Sequence, residues 1–503
     1  MKKILNGQSV PLSSITPLSF DAFSAAILKE AASGRRLSSY FGVPTETKGK
    51  IEVYAVLADD HRNQLIIARS SIEGPSFPSI TPLCPQAHLF EREIAEQFGL
   101  KAVGHPFFKR VRYAPSWTGR DAWDRKETEE IVPGGGDFYQ VEGEQIHEVA
   151  VGPVHAGVIE PGHFRFQCYG EEVFHLEIAL GYQHRGVEEA LMGGPDRRTL
   201  HYMETLAGDT TVGHTTSYAQ ILETLSHTQI PARAQVLRGI ALELERLANH
   251  IGDLGALSGD TGFLPTASFC GRIRGELLNM TAILCGSRFG RGMVIPGGVG
   301  FDADDARIAG LLRRLDKNET DSRDAINLLW DNQSVMARFE DTGPFTREQA
   351  IELGIVGPPA RAVGLTRDIR YTHPSGIFSF AQIPVSTYDS GDVFARAYVR
   401  WLEIQQSFTF IRDQLSRLPT GAVLVPVKPL SPECITVSLN EGWRGEICHV
   451  AITGEKGTFT RYKVVDPSFH NWVALALAVR NQEVSDFPLC NKSFNLSYCG
   501  HDL

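Results

Sequence analysis

Apolar residues recur at helical spacing in the first hundred residues of the chain. Residues 19–32 carry such a pattern, and further on Phe90, Ile94 and Phe98 stand four residues apart before Gly99. Residues spaced three or four apart share one face of a helix, and a glycine after the last turn is a typical C-terminal cap. The spacing therefore predicts two amphipathic helices.

The longest pattern of this kind covers residues 232–251, between Pro231 and Gly252. Its apolar stripe consists of Val236, Leu237, Ile240, Leu244, Leu247 and Ile251. A proline before the first turn and a glycine after the last are the usual helix boundaries. We predict a core helix that ends at Gly252, followed by further helices in 271–284 and 306–339 that complete a helical bundle.

Short runs of β-branched and aromatic residues between turn formers predict strands. These runs are 51–57, 64–69, 164–168, 173–178, 424–427, 435–439, 445–453 and 459–465. The first two and the next two are each expected to form a hairpin. A last helix is expected over 471–479.

Together these elements predict an α+β fold. A small N-terminal α/β domain covers 1–113, and an extended linker follows over 114–148, with Trp117 and Trp123 as anchors on the surface. The large domain, 149–503, is mainly a helical bundle with β-hairpin and β-rich elements.

Composition excludes several classes of function. The net charge is −10 over 503 residues and no Lys/Arg run is long enough to follow a phosphate backbone, so no nucleic acid is expected. The longest apolar runs are shorter than the roughly 18–20 residues of a spanning helix. The N-terminus has no apolar core of a signal peptide, so no export is expected.

The cysteines give no metal-binding signature. All eight are scattered singly and no two stand three apart, so the C-x-x-C spacing that lets two thiolates hold one metal is absent. A phosphate-binding loop, a dinucleotide fingerprint, a His-Glu-x-x-His helix and a nucleophile elbow are absent as well.

A few polar residues remain as candidates for chemistry. His155 and His163 bracket a Gly/Pro loop that leads into a hairpin, a position from which imidazoles can enter a cleft; the alternative is two hydrogen-bonded structural histidines. Glu188 is a proton-relay candidate if it is buried. Its alternative is a surface carboxylate paired with Arg185.

A series of motifs in chain order resembles a known family. The motifs are His155, Gly162-His-Phe-Arg-Phe166, His184-Arg-Gly-Val-Glu188, Glu243-Leu-Glu-Arg-Leu-Ala-Asn-His250, Arg361, Asp368-Ile-Arg-Tyr-Thr-His-Pro374, Gly391-Asp-Val-Phe-Ala-Arg396 and Trp443-Arg-Gly-Glu446. This order resembles the large subunit of group 4, membrane-bound energy-converting nickel–iron hydrogenases, a family that includes the quinone-site subunit of respiratory complex I. Residues 90–99 and 104–108 resemble the small peripheral subunit of complex I, here fused in front as in formate hydrogenlyase large subunits.

The resemblance implies a role and partners. A chain of this family docks an iron–sulfur small subunit and the membrane-arm subunits of a larger complex, and lies peripherally on the cytoplasmic face of the membrane. It also implies an oxidoreductase of a respiratory chain, with electron transfer and proton translocation. The donor, the acceptor and the ion moved stay open, as does whether the chain is itself an enzyme.

The resemblance also assigns roles to residues. Glu188 matches a carboxylate associated with proton exit, and Arg444 matches an arginine that would form the cationic wall of a cavity. The acid and tyrosine that complex I places together fall on Ala207 and Gly208, so Asp209 is only the nearest acid. We expect Glu188, His184 and Asp209 to be the protonatable groups. His163 matches a loop histidine that approaches the quinone in complex I, and with His155 it would border a quinone-like cavity.

The chain departs from the family at the metal ligands. Aligned through His214 and Asp502, the four cysteines of the nickel–iron centre fall on Ala207, Thr210, Ser497 and Gly500. Because soft thiolates suit nickel and iron, we expect no metal and no cofactor bound by this chain, with iron–sulfur clusters in a partner subunit.

Three hypotheses follow. In the first, the chain lacks its own nickel–iron centre and couples electron transfer from the iron–sulfur partner to proton transfer. In the second, it is a structural adaptor that seats the iron–sulfur subunit on the membrane arm. In the third, it is a hydrogenase with altered metal ligation.

Overall fold

The structure is a computed structural model that describes residues 1–47, 49–126, 129–155 and 159–503. Residues 127–128 of the predicted linker and 156–158 between His155 and His163 thus lie outside the described residues. The predicted α+β class is confirmed: a small sheet domain precedes a larger, mainly helical region.

The N-terminal part is built on a four-stranded antiparallel sheet. Its elements are β1 (Lys2–Ile4), β2 (Ser9–Pro11), α1 (Phe20–Ala32), β3 (Arg36–Pro44), β4 (Lys50–Asp59), β5 (Gln64–Glu73), β6 (Ser76–Pro78), α2 (His88–Phe98) and β7 (Lys101–Val103). The strand order is β1-β5-β4-β3, and β6 pairs with β7 in a separate ribbon. The predicted first hairpin is confirmed, and Gly99 caps α2 with a φ of 63°.

A second sheet and three helices follow. They are β8 (Ile146–Val151), β9 (His163–Tyr169), β10 (Glu172–Ala179), α3 (Val187–Ala190), α4 (Thr199–Glu204) and α5 (Thr211–Leu225). The predicted β9–β10 hairpin is confirmed, and β8 adds a third strand beside β9. The linker tryptophans act as anchors: Trp117 packs edge-on against Phe98, and the Trp123 indole donates to the carbonyl of Phe108 at 3.0 Å.

The helical bundle occupies the middle of the chain. It consists of α6 (Ala232–Asp260), α7 (Leu264–Cys285), β11 (Val294–Ile295), β12 (Gly298–Val299), α8 (Asp305–Trp330), α9 (Gln333–Phe339), α10 (Arg347–Glu352), α11 (Gly357–Arg361), α12 (Ile369–Thr372) and α13 (Val393–Ser416). The long helices α6, α7, α8 and α13 bury most of its apolar surface in one core.

The prediction that α6 ends at Gly252 is wrong, because this glycine serves helix packing. A Cβ at Gly252 would lie 2.8 Å from Cδ of Arg274 on α7, and one at Gly255 would lie 2.6 Å from Cβ of Cys270. Glycine lets two backbones approach closely. The helix therefore continues past both glycines to Asp260.

The C-terminal part returns to β structure. Its elements are β13 (Cys434–Gly442), β14 (Gly445–Thr453), β15 (Phe459–Val465), α14 (Pro467–Ala478), α15 (Phe487–Phe494) and α16 (Tyr498–Asp502). The predicted strand at 424–427 is wrong: Leu424 makes only an isolated bridge to Gly298, and Pro426 has no N–H to donate to a ladder.

The N-terminal strand β2 joins this last sheet, whose order is β15-β14-β13-β2. Side chains of β13 and β14 pack in the same core as those of β3 and β4, so the two parts of the chain share buried apolar surface. The predicted boundaries at 113 and 148 stay predictions. Within the described ranges, no helix combines the length and apolar character needed to cross a bilayer.

Candidate functional site

Arg444 joins the two segments on which the family's metal ligands would fall. Its Nε donates to the carbonyl of Asn495 at 2.5 Å, where the C-terminal tail (495–503) begins, and its Nη1 lies 3.3 Å from the hydroxyl of Thr210. It lies in the tight turn between β13 and β14, and its guanidinium stacks 3.9 Å from the Trp443 ring centroid. The predicted cationic wall is thus a buried arginine clamped between segments nearly 300 residues apart in sequence.

Asp209 is the partner of this arginine. Its two carboxylate oxygens accept from Nη1 and Nη2 of Arg444 at 2.6 and 2.8 Å, a bidentate pair. Burial alone would raise the pKa of Asp209, but the charge and hydrogen bonds of Arg444 lower it. The structure therefore brings together two of the predicted site residues, and keeps Asp209 ionised.

Glu245 stands beside this pair and was not predicted from the sequence. It lies on α6, and its carboxylate accepts from the backbone N–H groups of Val212 and Gly213 at 2.7 and 3.1 Å, at the start of α5. Burial raises its pKa to about 8, and the negative charge of Asp209 contributes in the same direction. The site thus offers two acids: Asp209, which stays ionised, and Glu245, which titrates near neutral pH.

A chain of buried side chains leads away from the site. Asp466 Oδ2 lies 3.0 Å from Nε2 of His214, Nδ1 of His214 lies 3.1 Å from Nε2 of His449, and Nδ1 of His449 lies 2.9 Å from the Tyr462 hydroxyl. Burial, and then the charge of His214, lower the pKa of His449. One set of hydrogen-bond directions satisfies every contact: the Tyr462 hydroxyl donates to His449, His449 to His214, and His214 to Asp466.

The sequence held only a weak signal for this chain of side chains. His214 marks the alignment of the metal ligands, whereas His449 and Tyr462 lie on neighbouring strands β14 and β15 and had no motif. Asp466 also touches the C-terminal tail: a Cβ at Gly500 would lie 2.7 Å from its Cγ. This series of hydrogen-bonded side chains therefore begins next to Gly500, one of the positions aligned with the metal ligands.

Glu188 is buried, and its partner is not Arg185. Its Oε1 accepts from Nζ of Lys463 at 2.9 Å and its Oε2 from Nη2 of Arg461 at 2.7 Å. Arg185 instead donates to carbonyl oxygens, among them that of Thr205 at 2.7 Å. Burial would raise the pKa of Glu188, but Arg461 and Lys463 lower it, so the surface-pair interpretation is wrong and the carboxylate is firmly ionised.

His184 lies near Glu188 but faces the C-terminal tail. Its Nδ1 is 2.8 Å from the backbone oxygen of Asp502, whose carboxylate accepts from the N–H of Gly181 at 2.8 Å. A cavity of about 20 Å³ borders both His184 and Glu188, room for a single water.

The two loop histidines hold their own loop. Nε2 of His155 is 2.8 Å from the carbonyl of Gly162, and Nδ1 of His163 is 3.3 Å from that of Gly152. Among the described residues, no contact joins either imidazole to Asp209. The predicted quinone-like cavity stays a prediction.

The donor set at the ligand positions does not fit a nickel–iron centre. Ala207 and Gly500 have no donor atom, and Thr210 and Ser497 offer hydroxyls where the centre needs thiolates. Burial raises the pKa of Cys490 and of Cys499 to about 12, so both stay protonated thiols. Over the described part of the chain, no three His, Cys, Asp or Glu residues are grouped to hold a metal.

Comparison with known families places two matches along the chain. Residues 20–128 match the family of the respiratory-chain NADH dehydrogenase 30 Kd subunit, and residues 260–433 match that of the 49 Kd subunit. The predicted resemblance to a fusion of these two types is confirmed.

Curated relatives cover most of the chain. Formate hydrogenlyase subunit 5 of Escherichia coli is 29% identical over an alignment of 489 positions that covers 92% of this chain and 84% of the relative. Hydrogenase-4 component G of the same organism is 27% identical, with 88% and 79% covered. An NADH-quinone oxidoreductase subunit of Bacteroides thetaiotaomicron is 27% identical, with 74% and 75% covered.

Proposed function

We propose that this chain is a coupling subunit without its own nickel–iron centre. It fuses segments of the 30 Kd and 49 Kd types of respiratory-chain NADH dehydrogenase, and it is like the large subunit of group 4 hydrogenases. The relatives support a subunit of a redox complex. In this proposal the chain takes electrons from an iron–sulfur small subunit and links their arrival to proton transfer. It sits peripherally on the cytoplasmic face of the membrane, against membrane-arm subunits.

The absence of a nickel–iron centre rests on ligand chemistry. Such a centre needs four soft thiolates, and the aligned positions carry an alanine, a threonine, a serine and a glycine. The place of the ligands is filled instead by the Arg444–Asp209 pair and by Asp466 with its hydrogen bonds.

Metal analysis tests this part of the proposal. We expect less than about 0.1 nickel per chain in the purified complex, because the soft ligands that retain nickel are missing. Plasma mass spectrometry on the intact complex measures nickel, with iron of the partner's clusters as the internal reference. Stoichiometric nickel, or hydrogen uptake by the complex, would establish the third hypothesis, a hydrogenase with altered ligation.

The proposal of proton transfer rests on the placement of Glu245, whose carboxylate accepts from the N–H groups of Val212 and Gly213 beside the Arg444-paired Asp209. A group titrating near the working pH is the efficient proton donor and acceptor, and Glu245 has a pKa of about 8. Arg444 fixes the negative charge of Asp209 beside it. We infer that Glu245 takes up and releases the proton, while Glu188 supplies a fixed charge.

Changing Glu245→Gln tests this step. At about pH 7 a group with a pKa near 8 is mostly protonated, so the amide keeps the shape of the acid but cannot exchange a proton. We expect proton-coupled turnover of the complex to fall by at least about tenfold, in the range of general acid–base catalysis. A matched control is Glu276→Gln, which alters a surface pair with Arg314 on α8.

The same variant has a pH signature in stability. The folded pKa of Glu245 lies above its unfolded value of about 4.3, so its stabilising contribution is present below that value and lost as pH rises toward 8. The unfolding temperature of Glu245→Gln, relative to that of wild type, should therefore be higher at pH 8 than at pH 5. If proton-coupled turnover of the complex is unchanged in Glu245→Gln, the result favours the structural adaptor.

One observation favours the adaptor as the second candidate. Glu188, the family's proton-exit carboxylate, is held between Lys463 and Arg461 like a structural ion pair. In an adaptor the charged residues of the cavity would only hold the chain together. Turnover that survives changes at both Glu245 and Arg444 would support that role.

A further inference from the structure

A cavity of about 280 Å³ lies away from the candidate site, where the two parts of the chain meet. One wall comes from α2 and the loop after it, with Arg92 and Lys109. The others come from β10 and from α14, with Trp472 and Ala476. At roughly 30 Å³ per water, it has the volume of about nine waters.

Cationic side chains outnumber carboxylates in the lining of this cavity, where Glu177 is the one acidic residue among those described. Arg92 is 9% exposed, and its Nε and Nη2 donate to the carbonyls of Lys109 and Arg110 at 2.6 and 2.7 Å. Within the described ranges it forms no ion pair with a carboxylate. A buried cation without a counter-charge is costly.

The neighbouring cations make the contrast clear. Lys109 pairs with Glu177 at 2.5 Å, and Arg110 pairs with Asp121 at 2.5 Å. Arg480, exposed at the rim, has no such partner among the described residues. Burial, and then the charge of Arg92, lower the pKa of His88 on the same wall to about 3, so that imidazole is neutral. The cavity thus carries net positive charge.

The other walls are apolar and include a free donor. Leu180, Trp472 and Leu477 supply apolar lining. The indole Nε1 of Trp472 is buried without an acceptor in the described structure.

We propose that this cavity binds a small amphipathic anion: a flat apolar body against Trp472 and Leu477, with one carboxylate toward Arg92 and Arg480. Apolar walls with few convergent polar groups are the usual make-up of small-ligand sites. The site joins both parts of the chain, so occupancy would strengthen the contact between them. The inference is independent of the proposed redox function.

Calorimetric titration of the full chain with 2-naphthoate tests the proposal, and 2-naphthamide is the matched neutral probe. We expect the carboxylate to bind at least about tenfold more tightly than the amide, since charge-assisted bonds to guanidinium are strong. Ala476→Trp fills the cavity and should abolish binding, while Arg480→Gln should weaken only the carboxylate. Arg313→Gln, on the exposed face of α8, is the control for loss of a surface cation.

The variants also guard against misfolding as an explanation. Ala476→Trp and Arg480→Gln must keep the wild-type unfolding temperature in the absence of ligand, and Arg480→Gln should do so readily because its side chain is exposed. Equal affinity for the two probes, or unchanged naphthoate binding in Ala476→Trp, would overturn the proposal.

Discussion

Replacing Glu403 with glutamine is expected to cost roughly 3–5 kcal/mol of folding free energy, the usual effect of removing one partner from a buried ion pair. Glu403 lies on α13; its Oε1 accepts from Arg361 at 2.8 Å and its Oε2 lies 2.9 Å from Nε2 of His250. Arg246 is 3.5 Å away. The amide would leave two buried guanidinium groups short of negative charge.

Glu403 is the centre of a network that ties four parts of the bundle to the last sheet. Its members are Glu243, Arg246 and His250 on α6, Arg361 on α11, Asp368 and Arg370 at α12, Glu403 on α13 and Glu441 on β13. Every one is at most 3% exposed. Burial raises the pKa of Glu441 to about 7, whereas Arg361 holds the pKa of Glu403 well below its usual range against the effect of burial. Three arginines thus face three firmly ionised carboxylates.

The control for Glu403→Gln is Glu348→Gln on α10, where the side chain is exposed. Surface charges contribute about 0–1 kcal/mol to folding free energy, so this variant should unfold at nearly the same urea concentration as the wild-type protein. Urea unfolding followed by circular dichroism gives both midpoints. A Glu403→Gln midpoint within error of the control would mean that the charge of Glu403 adds no net stability to the network.

This network explains how far the sequence could predict the fold. Residues 243–250 and 368–374 were recognised as family motifs, yet periodicity encodes which face is buried and not what lies opposite. The partners of Arg361 are 42 and 80 residues away along the chain, so their pairing requires the tertiary structure. The same holds for Gly252, whose role appears only when α7 is placed against α6.

The candidate site was predicted in part for the same reason. Arg444 was named from its motif and Asp209 as the acid nearest to the aligned positions, but their pairing spans 235 residues. Glu245 was missed although it lies inside a recognised motif, because a raised pKa depends on burial and on the distance to Asp209.

Replacing Glu188 with glutamine is the second change with a large expected effect. Its carboxylate and that of Glu93 face three buried cations, Arg112, Arg461 and Lys463. Without the charge of Glu188, Glu93 alone would balance three cations. We expect a loss of roughly 3–5 kcal/mol of folding free energy, as for a broken buried pair.

The pH dependence of this loss has a definite sign. The folded pKa of Glu188 is lowered, so its contribution is present above the unfolded value of about 4.3 and lost as pH falls through the folded pKa. The gap between wild type and Glu188→Gln should be constant from about pH 6 to 8 and shrink below about pH 4. For Glu245→Gln the pH dependence has the opposite sign, because the wild-type Glu245 contributes less to folding stability as pH rises.

Glu189→Gln, one residue on and exposed, is the matched control. If Glu188 supplies a fixed charge, its glutamine variant loses stability and turnover together, and the Glu188→Asp variant, which keeps the charge, restores part of both. Loss of turnover at unchanged stability would instead identify Glu188 as a group that itself carries the proton. These experiments distinguish the two roles: Glu188 supplies a fixed negative charge, and Glu245 takes up and releases the proton.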